Sequence, residues 1–350
     1  MSRNTSRNTN LFRVALVGAA SLKGKEVREV LGERGFPSYE IKLLDEDEAA
    51  GQLEQVNDEP SFIQTVSAEH LEEIDFTFLT AAESYIAGSW TTVRDSGSEI
   101  IDLSYALENH SGAVLRSPWL EREMERSREV ALASAPVVVA HPAAVMMALL
   151  LLRLQKATPL RVAAAVVGHP ASEYGRPGMD ELHDQTVNLL SFQQMPSAVF
   201  GTQAAFNLYA QSVASAAHPT LAEVESRILR HMQTISEGRI PLPALMVLQA
   251  PVFHGYTVAI YVQSTSATTA KALEEALAGE HVAIHHSDDE FPCNVSVAGV
   301  SEILASVRPD GSSGNGYWIF AACDNLRVSA IQAVECAEEM AQTRPRGQLQ

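Results

Sequence analysis

Short apolar runs alternate with amphipathic stretches through the first third of the chain. Phe12–Val17 (FRVALV) is apolar enough for a buried strand. It runs into Gly18-Ala19-Ala20-Ser21-Leu22-Lys23-Gly24. Lys25–Arg34 then carries Val27, Val30 and Leu31 at helical spacing and stops at Gly35 and Pro37. Glu40–Leu44 predicts a second strand, followed by the acids Asp45–Glu48. Further strands are expected at Asp75–Thr80, Glu99–Leu103 and Glu129–Ser134, with a helix running through Val93. Strands alternating with helices imply a parallel, doubly wound sheet. Strand, glycine turn, helix, strand, acid is the order of a dinucleotide-binding βαβ unit.

The pattern changes after His141-Pro142. Ala143–Lys156 is apolar nearly all round and predicts a buried helix. Leu160–Val167 reads as a strand, and Gly178–Leu190 and Ala222–Ile235 as helices. Ala250–Val262 alternates as one strand, Trp318–Ala322 is the last strand, and Asp324–Ala341 is a closing helix. The expected division is a tail at 1–11, a dinucleotide-binding domain at 12–141 and a second domain at 142–323. A C-terminal helix at 324–342 is expected to return to the first domain, with a tail at 343–350.

Composition narrows the function classes. At 350 residues, 46% hydrophobic and 19% charged, the chain can bury the cores of about two domains. Its net charge of −18 argues against binding nucleic acid, whose phosphates call for Lys and Arg, and against a basic membrane anchor. The acidity is local: between Leu43 and Val93 there are twelve acids and no Lys or Arg. Asp45 follows Gly24 by about twenty residues, where an acid can accept bonds from a ribose 2′-OH. Asp45, Glu46, Asp47 and Glu48 together would repel a 2′-phosphate, so NAD or no dinucleotide is expected rather than NADP. The three cysteines show no CxxC spacing, which fits a reducing, cytoplasmic compartment and no zinc. The longest apolar run, Ala143–Leu152, is too short to span a bilayer, and no signal-peptide pattern is present.

Eight segments in order give the chain a family resemblance. They are GAASLKGKEV at 18–27, KLLDEDEAAG at 42–51, IDLSYAL at 101–107, VAHPAAVMMAL at 139–149, GRPGMDEL at 175–182, AFNL at 205–208, APVFHGY at 250–256 and DNLR at 324–327. The chain resembles the aspartate-semialdehyde dehydrogenase family, closest to its divergent USG-1-like branch. The resemblance implies an α/β fold, with a Rossmann-type NAD(P)-binding domain and an α+β domain for catalysis and dimerisation. It implies a homodimer, and pairing with an active paralogue is a further expectation. The implied reaction is reductive dephosphorylation of aspartyl phosphate, or its reverse, through a cysteine acyl-thioester and NADPH. Cofactor contacts are implied at Gly18, Ala20, Ser21, Leu22, Gly24, Asp45, Ser104, Ser172 and Asn325.

The family chemistry does not carry over. The nucleophilic cysteine falls on Ala144, which has no lone pair to attack a carbonyl. The family glutamine falls on His169 and the general-base histidine on Tyr256. The carboxylate-binding arginine falls on Gln249, and the phosphate-binding arginine on Glu108, which repels the anion an arginine would clamp. The 2′-phosphate arginine falls on Glu48. The acidic and basic pair of the second-domain helix falls on Val224 and Arg227, with Glu225 as a stand-in for the acid.

Other residues offer chemistry. His141, His169, Tyr256 and Glu173 could converge and do acid–base work without a covalent step. Cys293, Cys323 and Cys336 read as small apolar residues rather than thiolates. His285-His286 with Asp288, Asp289 and Glu290 reads as a solvated loop, not a metal site. Gly311–Gly316 is a turn, since no helix start follows it. The expected function is a family member that has lost the thioester reaction and binds NAD, another small ligand or a partner subunit. The alternatives are an oxidoreductase using non-covalent hydride transfer, and a non-catalytic regulatory subunit.

Overall fold

The computed structural model describes residues 11–56, 59–125, 135–211, 218–285 and 291–343. The chain divides into two compact units, 1–114 with 129–139 and 333–350, and 115–128 with 140–332.

The first unit is built on a seven-stranded sheet. Its elements are β1 (Phe12–Val17), α1 (Leu22–Glu33), β2 (Ser38–Asp45), β3 (Leu53–Val56), β4 (Glu59–Phe62), β5 (Gln64–Thr65), β6 (Phe76–Leu79), α2 (Glu83–Asp95), β7 (Glu99–Asp102), β8 (Val114–Arg116) and β9 (Val137–Val139). Strand order is β5-β2-β1-β6-β7-β9-β8, and β3 and β4 form a separate hairpin. β1 pairs in parallel with β2 on one side and β6 on the other. The winding therefore reverses at β1, and its C-terminal end is the switch point where such sheets receive ligands. β1 spans the residues expected. α1 begins three residues before the expected Lys25, because the Ser21 hydroxyl accepts the Gly24 N–H at 2.9 Å and caps the helix. The strand expected at Glu129–Ser134 lies outside the described residues; β9 follows at Val137–Val139.

The second unit holds α3 (Pro118–Glu123), α4 (Pro142–Ala157), β10 (Leu160–His169), a 3-10 turn (Ala171–Tyr174), α5 (Gly175–Leu190) and α6 (Leu221–Ile235). It continues with β11 (Ala244–Gln249), β12 (Tyr256–Ser264), α7 (Ala270–Leu277), β13 (Val282–Ile284), β14 (Ile303–Pro309) and β15 (Gly316–Cys323). Its mixed sheet has the order β11-β10-β12-β15-β14-β13. The single strand expected over Ala250–Val262 is corrected. β11 and β12 lie on opposite sides of β10, parallel and antiparallel to it, and the segment between them turns. Gly255 makes that turn at φ 82, and a Cβ there would stand 3.2 Å from Val297 Cγ2. α4 buries thirteen of its sixteen residues and packs on β10, α6 and α7. Leu149–Leu152 each contribute about 1.5–3 kcal/mol by burial. The closing helix α8 (Asn325–Thr343) is divided between the units after Gln332. In the first unit Arg34 pairs with its Glu338 at 2.7 Å. Among the described residues no helix is long and apolar enough to cross a membrane.

Candidate functional sites

The turn after β1 is fixed by its two glycines. Gly18 has φ 96, and a Cβ on it would meet the Ala81 nitrogen at 2.2 Å. A Cβ on Gly24 would meet the Gly18 oxygen at 2.2 Å. Both glycines therefore let β1, α1 and the segment after β6 approach closely, one of the uses glycine has in a dinucleotide turn. The N–H groups of Gly18 and Ala19 donate to the Leu44 carbonyl, and that of Ser21 to Gly18. Leu22 and Lys23 stand in the first turn of α1, where N–H groups have no helical carbonyl to meet, the arrangement that receives a pyrophosphate.

Asp45 ends β2 and is buried. One of its oxygens accepts the Ala20 N–H at 2.7 Å and the other the Glu46 N–H at 2.9 Å. The neighbouring acids disfavour further negative charge. Partial burial, then the charges of Asp45 and Glu48, push the Glu46 carboxyl above its ordinary range. The Tyr85 hydroxyl donates to the Asp45 carbonyl at 3.1 Å. Burial, then Asp45, Glu46 and Asp47, raise that phenol.

Ser104 faces inward, its hydroxyl and N–H donating to the Asp102 carboxylate, which also accepts the Leu107 N–H at 2.9 Å. Glu108 follows at the end of this turn, its N–H donating to the Tyr105 carbonyl at 3.1 Å. Lys23, unmarked by the sequence reading, closes the loop from the other side. Its ammonium donates to the Leu103 carbonyl at 3.1 Å and stands 4.7 Å from the Tyr105 ring centre.

In the second unit, several of the residues singled out in the sequence come together. Ala144 lies fully buried in the first turn of α4. His141 caps that helix, its Nδ1 accepting the Ala143 N–H at 3.3 Å. The Tyr256 hydroxyl lies 3.3 Å from His141 Nε2 and 2.9 Å from His169 Nδ1. All three side chains are buried. His231 on α6 joins them, its Nδ1 accepting the His141 N–H at 3.0 Å. The Tyr174 ring packs edge-on against His169 at 5.3 Å. Gln249 pairs with His169 in the β10–β11 register, and its amide donates to the carbonyls of His169 at 3.1 Å and Ala250 at 3.2 Å.

Ser172, Glu173 and Asn325 form a second knot. The Asn325 amide donates to Ser172 at 3.1 Å and to the Glu173 carboxylate at 2.6 Å, while its oxygen accepts the Gly255 N–H at 3.0 Å. Glu173 is thus bound to Asn325 rather than to the Tyr256 cluster. Beside this knot His254 Nε2 meets the Asp324 carboxylate at 2.7 Å. Asp324 caps α8 through the N–H groups of Leu326 and Arg327 and also takes that of Gly299. Long-range pairing of this kind leaves no mark in local sequence. On α6, Val224 is buried, and Glu225 accepts the Val247 N–H of β11 at 3.3 Å.

Cys323 stands directly across the ladder from Tyr256. Burial, then Asp324 and Glu173, push its thiol far up, so it rests protonated. Cys336 is buried, and Cys293 is half-buried with its thiol drawn down by Ser296. Of the His285–Glu290 segment only His285 lies within the described residues. Among the described residues no group of three His, Cys, Asp or Glu side chains is arranged to hold a metal.

A glycine turn at the switch point of a doubly wound sheet in one unit, and a buried His–Tyr cluster in a mixed-sheet unit, define a two-unit protein of the dehydrogenase type with a dinucleotide-binding fold. Residues 13–136 match the semialdehyde dehydrogenase NAD binding domain, and residues 130–328 the semialdehyde dehydrogenase dimerisation domain. The chain belongs to the semialdehyde dehydrogenase family, on its USG-1-like branch. It is 31% identical to a USG-1 protein homolog of Pseudomonas aeruginosa over 76% of this chain and 78% of that protein. It is 25% identical to an aspartate-semialdehyde dehydrogenase of Rickettsia bellii over 96% of this chain and 99% of the relative. The solved structure of a probable aspartate-semialdehyde dehydrogenase from Pseudomonas aeruginosa superposes with a TM-score of 0.82 at 26% identity, covering 95% and 99% of the two chains.

Proposed function

We propose that this chain is a dinucleotide-binding member of its family that does not perform the thioester reaction. The observation that carries this reading is Ala144. A methyl group, fully buried in the first turn of α4, stands at the position matched to the nucleophile. The thiol of Cys323, across the ladder from Tyr256, rests protonated. Removing a nucleophile cost about 10⁶ in turnover in a well-studied protease. Phosphate-dependent formation of NADH or NADPH from aspartate semialdehyde is the direct assay. No turnover above background is expected, and measurable turnover would overturn the reading.

The cofactor this reading favours is NAD. The acids Asp45 to Glu48 at the end of β2 oppose the charge of about −2 that a 2′-phosphate brings. Calorimetry with both dinucleotides tests this. Hydride transfer without a covalent step is the second reading, favoured by the hydrogen bonds of Tyr256 to His141 and His169. Failure of NAD and NADH to bind at millimolar concentration would remove it.

The partner this reading favours is a second copy. Met246, Val166, Ala259 and Phe320 stand in one register row across β11, β10, β12 and β15. Tyr261 and Trp318 pair in a neighbouring row. Met246, Val166, Trp318 and Phe320 are exposed on this face. So large an apolar face on one sheet is the kind of surface a homodimer covers.

A further inference from the structure

We infer that Lys23 is a phosphate-binding residue of the dinucleotide site. Its ammonium takes the phosphate on the nicotinamide side, while the N–H groups of Leu22 and Lys23 take the phosphate on the adenosine side. This rests on the reading above that a dinucleotide binds, and it names the group that holds the second phosphate.

The glycine turn has few N–H groups to give. Those of Gly18 and Ala19 donate to the Leu44 carbonyl, that of Ala20 to Asp45, that of Ser21 to the Gly18 carbonyl and that of Gly24 to the Ser21 hydroxyl. Leu22 and Lys23 remain, at the start of α1, where the helix supplies no acceptor for them. Two adjacent N–H groups at the positive end of a helix dipole suit one phosphate. A diphosphate carries a second charge, and a charged donor meets it best.

Lys23 is placed to be that donor. Its side chain crosses from α1 to the loop after β7, where the ammonium donates to the Leu103 carbonyl at 3.1 Å and stands 4.7 Å from the Tyr105 ring centre. An ammonium has three N–H donors, so the Leu103 bond leaves two for a ligand. Lys23 is half-buried, and among the described residues it makes no ion pair, although the chain has 43 acids against 25 Lys and Arg. The Asp102 carboxylate lies close enough to feel its charge, but spends its oxygens on Ser104 and Leu107. Tyr105 itself is held at φ 67, a costly conformation for a residue with a Cβ, and its ring backs the ammonium there. A partly desolvated cation with spare donors and no carboxylate partner is matched to an anion.

The strand order sets the side. β2, with Asp45 at its end, and β7, with Leu103 just beyond its end, lie on opposite sides of β1. A dinucleotide whose adenosine ribose meets Asp45 crosses the start of α1 and brings its second phosphate toward Leu103. NAD and ADP carry that phosphate, and AMP lacks it.

Calorimetric titration of the full-length protein with NAD, ADP and AMP tests the assignment. Lys23→Met keeps the aliphatic stem over Tyr105 and removes the charge. Its Kd for NAD and for ADP is expected to rise about tenfold, while its Kd for AMP stays within about twofold of the parent value. Lys23→Gln keeps an N–H for the Leu103 carbonyl and is expected to behave alike; it decides if the methionine variant does not fold. Unchanged NAD affinity, or an equal loss for NAD and AMP, overturns the assignment and leaves the dinucleotide reading standing. A loss for NAD without one for ADP puts Lys23 on the nicotinamide ribose and overturns it as well. A parent protein that binds no NAD at millimolar concentration removes the dinucleotide reading and this assignment with it.

Discussion

The Asp45 carboxylate holds the Ala20 N–H at 2.7 Å, tying the end of β2 to the glycine turn after β1. The acid therefore shapes the turn before it meets any ribose. Asp45→Ala leaves the half-buried Ala20 N–H without its acceptor and is expected to cost about 1–3 kcal/mol. Asp45→Asn keeps an oxygen for Ala20 and is expected to lose much less. Urea midpoints of the two variants and the parent check this, and equal loss in both would show that charge rather than the hydrogen bond matters.

Glu48 is the natural place to change cofactor preference. Its charge already helps to raise the Glu46 carboxyl, so the end of β2 is crowded with negative charge. Glu48→Arg removes one acid and supplies a guanidinium that can pair with a phosphate. The ratio of NADP to NAD affinity is expected to rise at least about tenfold, about 1.4 kcal/mol. Calorimetric titration of both dinucleotides decides it, and an unchanged ratio would place the 2′-position elsewhere.

The first unit was legible because its signals are local. The apolar run Phe12–Val17, the glycines at 18 and 24 and the acid at 45 lie within one βαβ unit. The start of α1 is hidden in the sequence because Ser21 caps it from inside the glycine turn, without the acidic N3 partner that marks Thr220–Glu223 on α6. β11 and β12 run together in the sequence pattern because apolar residues continue through the turn that Gly255 makes between them. Local motifs mark His169, Gln249 and Tyr256 singly and carry no sign that they meet. The bond from His141 to His231 closes a gap of 90 residues, and the one from Tyr256 to His169 a gap of 87. Such pairings come from tertiary packing, and neither helical nor strand periodicity encodes them. His254 with Asp324, and Lys23 with Leu103, were missed for the same reason.

Asp324 gives the fold a pH dependence of known sign. Burial alone would raise its carboxyl. The hydrogen bond and charge of His254, with the N–H groups of Arg327 and Gly299, outweigh burial and hold it below the usual range. A carboxylate depressed in the folded state stabilises it fully above the unfolded value, near 3.9, and loses that contribution as pH falls through the folded value. Stability against urea should therefore drop as pH falls below about 4. Asp324→Asn should flatten that part of the profile. Parallel profiles for parent and variant would assign the acid sensitivity to other groups.

Phe320 tests the second copy. It lies in the row that runs through Met246, Val166 and Ala259 and is 40% exposed. An aspartate there would be buried without a partner if two such faces meet, and each copy would carry one. Phe320→Asp is therefore expected to convert a dimer to monomers at micromolar concentration, with the fold of each monomer retained. Sedimentation equilibrium reads the mass, and circular dichroism checks the fold. A variant that stays dimeric would move the interface off this sheet. A parent protein that is monomeric at the same concentration would remove the second copy altogether.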